Sequence, residues 1–225
     1  MKLLLFDIDG TLLISKGLGR EAKSRAIREV YDVSVDVHNH PFGGKTDWQI
    51  LNEVLVPQGI TSAHIGERMD DYQQVFSRHM RSLAPEYPAT PLEGAHDLIA
   101  MLRARTDLLL GLVTGNTHAT APIKLQSAGF DPSWFKVGAY GNESHNRNDL
   151  PHLALQRAIT LTGKTILPHD VIVIGDTVAD VDCARALGAV AVVVLTGFED
   201  KQTLLDSKPD YVLNTLQEFM IEVGI

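Results

Sequence analysis

The chain has 225 residues, a formal net charge of −8, 44% hydrophobic and 21% charged residues. That balance excludes a disordered or low-complexity chain, and the acidic excess argues against nucleic acid or an anionic membrane surface as a partner. It leaves room for a small anion held by a metal ion and a few local cations, and the length predicts one large domain or one domain carrying a sizeable insert. Leu3–Phe6 is the first apolar run; it stops at Asp7, too short for a signal peptide, so a reduced cytoplasm is the expected address. It reads as a buried strand running into Asp7-Ile-Asp-Gly-Thr11. From Gly19 to Leu83 no strong strand occurs, only helical patterns over Arg20–Tyr31, Thr46–Val56 and Ala63–Leu83. Two glycines in Ile14–Gly19 and three prolines in Ala84–Pro91 mark flexible or extended connections at either end.

After the insert, dense apolar runs return at Leu108–Val113, Val171–Ile174 and Val190–Leu195, with weaker ones at Phe135–Ala139 and Tyr211–Leu213. Helical patterns over Ala95–Arg105, Ala119–Ala128, Leu150–Leu161 and Val178–Leu187 alternate with them. Runs apolar at every position suit strands covered on both faces, as in a parallel sheet. The alternation predicts a doubly wound, mainly parallel α/β core with an all-helical insert. The expected boundaries are 1–14 and 91–225 for the core, 19–83 for the helical unit, and 15–18 and 84–90 for the hinges. No apolar stretch approaches the roughly 20 residues that span a bilayer. Cys183 is the only cysteine, which excludes an internal disulfide; beside Ala184 and Ala186 it reads as a small buried residue rather than a nucleophile.

In open α/β sheets, ligands gather at the carboxyl ends of the strands. Those ends carry Asp7 and Asp9, then Thr114-Gly-Asn116, then Asp176 with Asp180 four residues on. Two like charges about 4 Å apart repel by about 4 kcal/mol at an effective dielectric near 20, so four carboxylates together require a cation or shifted protonation. All-oxygen donors without thiol or imidazole select Mg²⁺. Asp180 serves equally well as a helix N-cap.

The Phe6-Asp-Ile-Asp-Gly-Thr-Leu12, Leu112-Val-Thr-Gly-Asn116 and Gly175-Asp-Thr-Val-Ala-Asp180 segments resemble the motifs of the haloacid dehalogenase (HAD) superfamily, in particular its phosphoglycolate-phosphatase-like hydrolases with a helical cap. The resemblance implies a Rossmann-like core and a mobile cap formed by the insert. It also implies hydrolysis of a small phosphorylated metabolite, phosphoglycolate-like or a sugar phosphate, through an aspartyl-phosphate intermediate. Asp7 would then be the nucleophile and Asp9 the general acid and base. Mg²⁺ would be held by Asp7, Asp176 and the backbone carbonyl of Asp9, with Asp180 in support, while Thr114, Gly115 and Asn116 bind phosphoryl oxygens. Asp at the second position of the first motif favours phosphoryl chemistry over dehalogenation.

The family commonly places a lysine before its last motif; here the segment Ser144–Pro151 offers only Arg147 as the phosphate-neutralising cation. Lys124 and Lys136 compete for that role but read as solvated surface lysines. In Gly43-Gly-Lys-Thr-Asp47, Lys45 is a candidate for a substrate carboxylate or second phosphate, with Thr46 or Asp47 as a helix cap. His38 and His40 read as loop residues rather than metal ligands, and His118 as either a site residue or a helix start. A phosphomutase of the same superfamily is one alternative. A non-enzymatic receiver-like module phosphorylated on aspartate is another; Asp9 and the long insert speak against it.

Overall fold

The computed structural model describes residues 1–225. Six strands form one parallel sheet: β1 (Lys2–Phe6), β4 (Leu108–Thr114), β5 (Val137–Tyr140), β6 (Val171–Gly175), β7 (Val190–Val194) and β8 (Tyr211–Leu213). Their order is β5-β4-β1-β6-β7-β8, so the chain winds outward in both directions from β1. Successive side chains in a strand face opposite ways. Leu4 and Phe6 therefore pack with Leu112 and Ile174 against α5 (Ala95–Arg103), α6 (Ala121–Ser127) and α10 (Phe219–Glu222). Leu3 and Leu5 pack with Val113 and Val173 against α7 (Leu150–Thr162), α8 (Val178–Leu187) and α9 (Lys201–Asp206). Two cores on opposite faces explain why the strand sequences are apolar throughout. This is the doubly wound α/β core expected from the alternation.

The insert is helical, with α1 (Leu18–Tyr31), α2 (Asp47–Leu55), α3 (Ser62–Glu67) and α4 (Met69–Leu83) around a core of their own. Leu18, Ile27, Leu51, Tyr72, Phe76 and Met80 are buried there, and Ile123 of α6 joins them from below. The helix expected over Ala63–Leu83 is broken at Arg68, whose ψ of 7° ends α3 before α4 begins.

The connections differ from the extended linkers expected. Residues 13–15 and 89–91 pair as a two-stranded antiparallel ribbon, β2 (Leu13–Ser15) with β3 (Ala89–Pro91). Of the three prolines only Pro91 enters the ribbon. The next amide, Leu92, donates across it to the Leu12 carbonyl, so the missing N–H of Pro91 lies on the side facing away from β2. No helix is long and apolar enough to cross a membrane.

Candidate active site

β1 lies between β4 and β6, so the three strand ends that carry Asp7, Thr114 and Asp176 are neighbours. The Asp7 amide donates to the Ile174 carbonyl at 2.9 Å, which extends the ladder by one residue and seats Asp7 beside β6. Gly10 turns the chain away from the strand with φ +84°, and a side chain there would overlap the Asp176 carboxylate. Gly175 is equally constrained by Asp180. Glycine at these two positions is what lets backbone and carboxylates crowd together.

Asp7, Asp176 and Asp180 are all buried, and their nearest carboxylate oxygens lie within 4.8 Å of one another. Arg147 bridges two of them, with Nη2 at 2.5 Å from Asp180 Oδ1 and 3.2 Å from Asp7 Oδ2. With all three carboxylates ionised, one guanidinium would leave two negative charges uncompensated in a buried site. Burial raises the Asp7 carboxyl to about 6 even though Arg147 pulls it down. Burial, then the charges of Asp180 and Asp7, hold Asp176 well above the usual carboxylate range. Arg147 stays charged because Asp180 and Asp7 outweigh its own burial. Asp7 Oδ1 is buried with no hydrogen-bond partner. Hard oxygen donors, an orphaned carboxylate oxygen and a deficit of two positive charges fit a divalent cation such as Mg²⁺.

Asp180 is not the N-cap expected: Thr177 caps α8, and Asp180, three residues on, completes a capping box. Its Oδ2 accepts from the Thr177 amide at 3.0 Å and the Thr177 hydroxyl at 2.7 Å, while Oδ1 faces Arg147. Thr11 Oγ1 donates to Asp176 Oδ1 at 3.0 Å. Asp9 points elsewhere, its carboxylate standing outside the acidic trio and 39% exposed. It accepts from Ser15 Oγ at 3.0 Å, Asn116 Nδ2 at 2.8 Å and Lys124 Nζ at 2.6 Å. Burial raises its pKa, but the Lys124 charge and these three donors bring it below the ordinary value. Asn116 Nδ2 also reaches Thr114 Oγ1 at 2.9 Å, so the motif after β4 is tied to Asp9.

Lys124 corrects the expectation of a surface lysine: it is buried and paired with Asp9. Lys136 is exposed, as expected, and borders a separate groove beside β5, with His118. His40 and His38 pair with Glu53 and Glu21 respectively and share no ligand position. The Cys183 thiol, pushed up to about 12 by burial, donates to the Arg147 carbonyl at 3.2 Å and is structural.

A cavity of about 490 Å³ lies between the strand ends and the helical unit. Asp7, Asp9, Thr114, Gly115, Asn116, Lys124, Arg147 and Asp176 line one side. Arg20, Lys23 and Lys45 line the other, and of these only Lys45 is a candidate from the sequence. Lys45 Nζ lies 2.6 Å from Glu53 Oε2, and buried Lys23 pairs with Asp47. The start of α2 is docked on the core. Thr46 caps it by accepting from the Gln49 amide, and the Asp47 and Trp48 amides donate to the carbonyls of Gly115 and Gly141 at 2.8 and 2.9 Å. Asp47 Oδ2 accepts from the Thr117 amide at 3.2 Å.

Residues 1–188 match the family model of haloacid dehalogenase-like hydrolases. A phosphoglycolate phosphatase of Synechococcus elongatus is 29% identical over 224 residues, spanning 98% of this chain and 96% of the relative. The pyrophosphatase PpaX of Bacillus pumilus is 24% identical over 223 residues, covering 98% of this chain and 95% of its own. Among solved structures, a hydrolase from Pseudomonas syringae superposes with a TM-score of 0.72 at 22% identity, over 100% of this chain and 98% of that one.

Proposed function

Since the chain belongs to the haloacid dehalogenase-like hydrolases, we propose that it is a Mg²⁺-dependent phosphatase of a small phosphorylated metabolite, phosphoglycolate-like or a sugar phosphate. The observation that carries this reading is the orphaned oxygen of Asp7 beside a buried deficit of two positive charges. Asp7 and Asp176, with the backbone carbonyl of Asp9 and support from Asp180, would hold Mg²⁺. When bound, the ion supplies the charge that lets an anionic phosphate approach an anionic nucleophile. Asp7 attacks phosphorus, the bond from phosphorus to the ester oxygen breaks, and Asp9, which must first take up a proton against the pull of Lys124, gives that proton to the leaving oxygen. Asp9, now a carboxylate, takes a proton from water. The water oxygen attacks phosphorus, its bond to Asp7 breaks, and inorganic phosphate leaves. Thr114, Gly115, Asn116 and Arg147 receive the phosphoryl oxygens. Asn116 keeps Asp9 and Thr114 in one hydrogen-bonded unit.

In this reading the helical unit, 19–83, is a cap over the site and the segments 15–18 and 84–90 are its hinges. Lys45 borders the substrate from the cap side. Rapid acid quenching during turnover of a phosphate ester, followed by peptide mapping, is expected to trap phosphate on Asp7. Asp7→Asn is expected to lower turnover by on the order of 10³ or more while the protein stays folded. Parent-rate turnover by that variant on several esters would sink the assignment.

A further inference from the structure

Five cations line the cavity, and four of them face a carboxylate: Arg147 pairs with Asp7 and Asp180, Lys124 with Asp9, Lys23 with Asp47, and Lys45 with Glu53. Arg20 is the exception. Its Nη1 donates to the carbonyls of Val37, His38 and His40 at 3.0, 2.8 and 2.7 Å. Its guanidinium lies over the Phe42 ring, 4.2 Å from the centroid. Carbonyls and an aromatic face hold a guanidinium in place without cancelling its charge. All of its protein bonds use Nη1, which leaves the Nε–Nη2 edge without a protein partner. That edge carries two parallel N–H groups, the pattern that grips a carboxylate or phosphate with two hydrogen bonds.

We propose that Arg20 is a specificity-determining residue that binds a second anionic group on the substrate, at the end remote from the scissile phosphate. The inference rests on the phosphatase reading above and adds that the substrate carries two anions, one for each side of the cavity. Lys45 is less suited to the task because Glu53 and His40 already occupy its surroundings. Arg20 stands on α1, in the helical unit, whereas the reacting groups stand on the core. Recognition and chemistry are therefore divided between the two sides.

The test compares kcat/KM for three esters with Mg²⁺ present: phosphoglycolate, its neutral-ended analogue 2-hydroxyethyl phosphate, and a sugar bisphosphate. The parent protein is expected to prefer an anionic-ended ester over the neutral one by about ten-fold or more, the worth of one charged hydrogen-bonded contact. Arg20→Gln is expected to erase most of that preference, through KM on the anionic-ended ester. Arg20→Lys is expected to restore part of it. A fall in the preference confined to phosphoglycolate identifies a carboxylate end, and one confined to the bisphosphate identifies a phosphate end. Because Arg20 also braces the loop at 37–40, a merely structural loss would depress all three esters together. An unchanged preference ratio overturns the inference even when every rate falls. Parent protein that hydrolyses the neutral ester as well as the others overturns it too, leaving the phosphatase reading intact. Absence of turnover on every ester overturns both.

Discussion

The two sides of the cavity are built on opposite electrostatic plans. The core side concentrates acids that its own cations do not balance: Asp7, Asp176 and Asp180 share a single arginine. The helical side carries bases, and two of its three are neutralised within the helical unit, Lys23 by Asp47 and Lys45 by Glu53. An under-compensated buried site is one that a ligand ion completes. A balanced surface with one spare charge is suited to selecting what enters. The contrast separates where bonds change from where identity is read.

The harshest way to break this contrast is to remove the one cation that the three buried carboxylates share. Arg147→Ala leaves three buried carboxylates facing one another and is expected to lower turnover by about 10²–10³. Urea unfolding should register a loss of about 3–5 kcal/mol, the usual cost of stranding one partner of a buried pair. Near-parent values in both measurements would mean that the site is far better screened than its burial implies.

On the helical side the same operation should be milder and reversible. Lys23→Met alone strands Asp47 and is expected to cost about 3 kcal/mol. The double variant Lys23→Met with Asp47→Asn should recover much of that loss, because no unpaired charge remains. A double variant as unstable as the sum of its singles would show that the pair is not the source of the cost.

A third measurement sharpens the contrast through pH. The Asp7 carboxyl rises from 3.8 to about 6 on folding, so between those values the folded state holds a proton that the unfolded state has lost. Its contribution to stability therefore falls as pH rises through that window. Chelator-treated protein is expected to gain more in melting temperature from added Mg²⁺ at pH 7.5 than at pH 5, by a few degrees. Equal gains at both values would separate the ion from these carboxylates.

The acidic side was legible in the sequence because its residues follow apolar runs, and a parallel sheet brings the ends of adjacent strands together. Asp7, Thr114 and Asp176 needed only that rule. The helical side was far less legible. Arg20 on α1 is followed by Glu21, Lys23, Arg25 and Arg28, charges spread around much of the helix with nothing in their spacing to single out Arg20. The burial of Lys124 is hidden for a related reason. α6 has buried residues toward two bodies, with Leu125 in the sheet's core and Ile123 in the helical unit's core, so a polar residue between them need not meet solvent. Helical periodicity alone does not reveal that second partner. Ser15 and the β2–β3 ribbon escaped because three-residue strands leave too few positions for a pattern.

The ribbon itself has a mechanical meaning. The chain crosses into the helical unit once and returns once, and hydrogen bonding between β2 and β3 joins those crossings into one strip. Two separate tethers would let the attached body swing, twist and slide. A strip resists twist and in-plane shear but bends across its thin direction. An excursion of the helical unit would bend that strip and would first have to release the Asp47 and Trp48 amides from the carbonyls of Gly115 and Gly141.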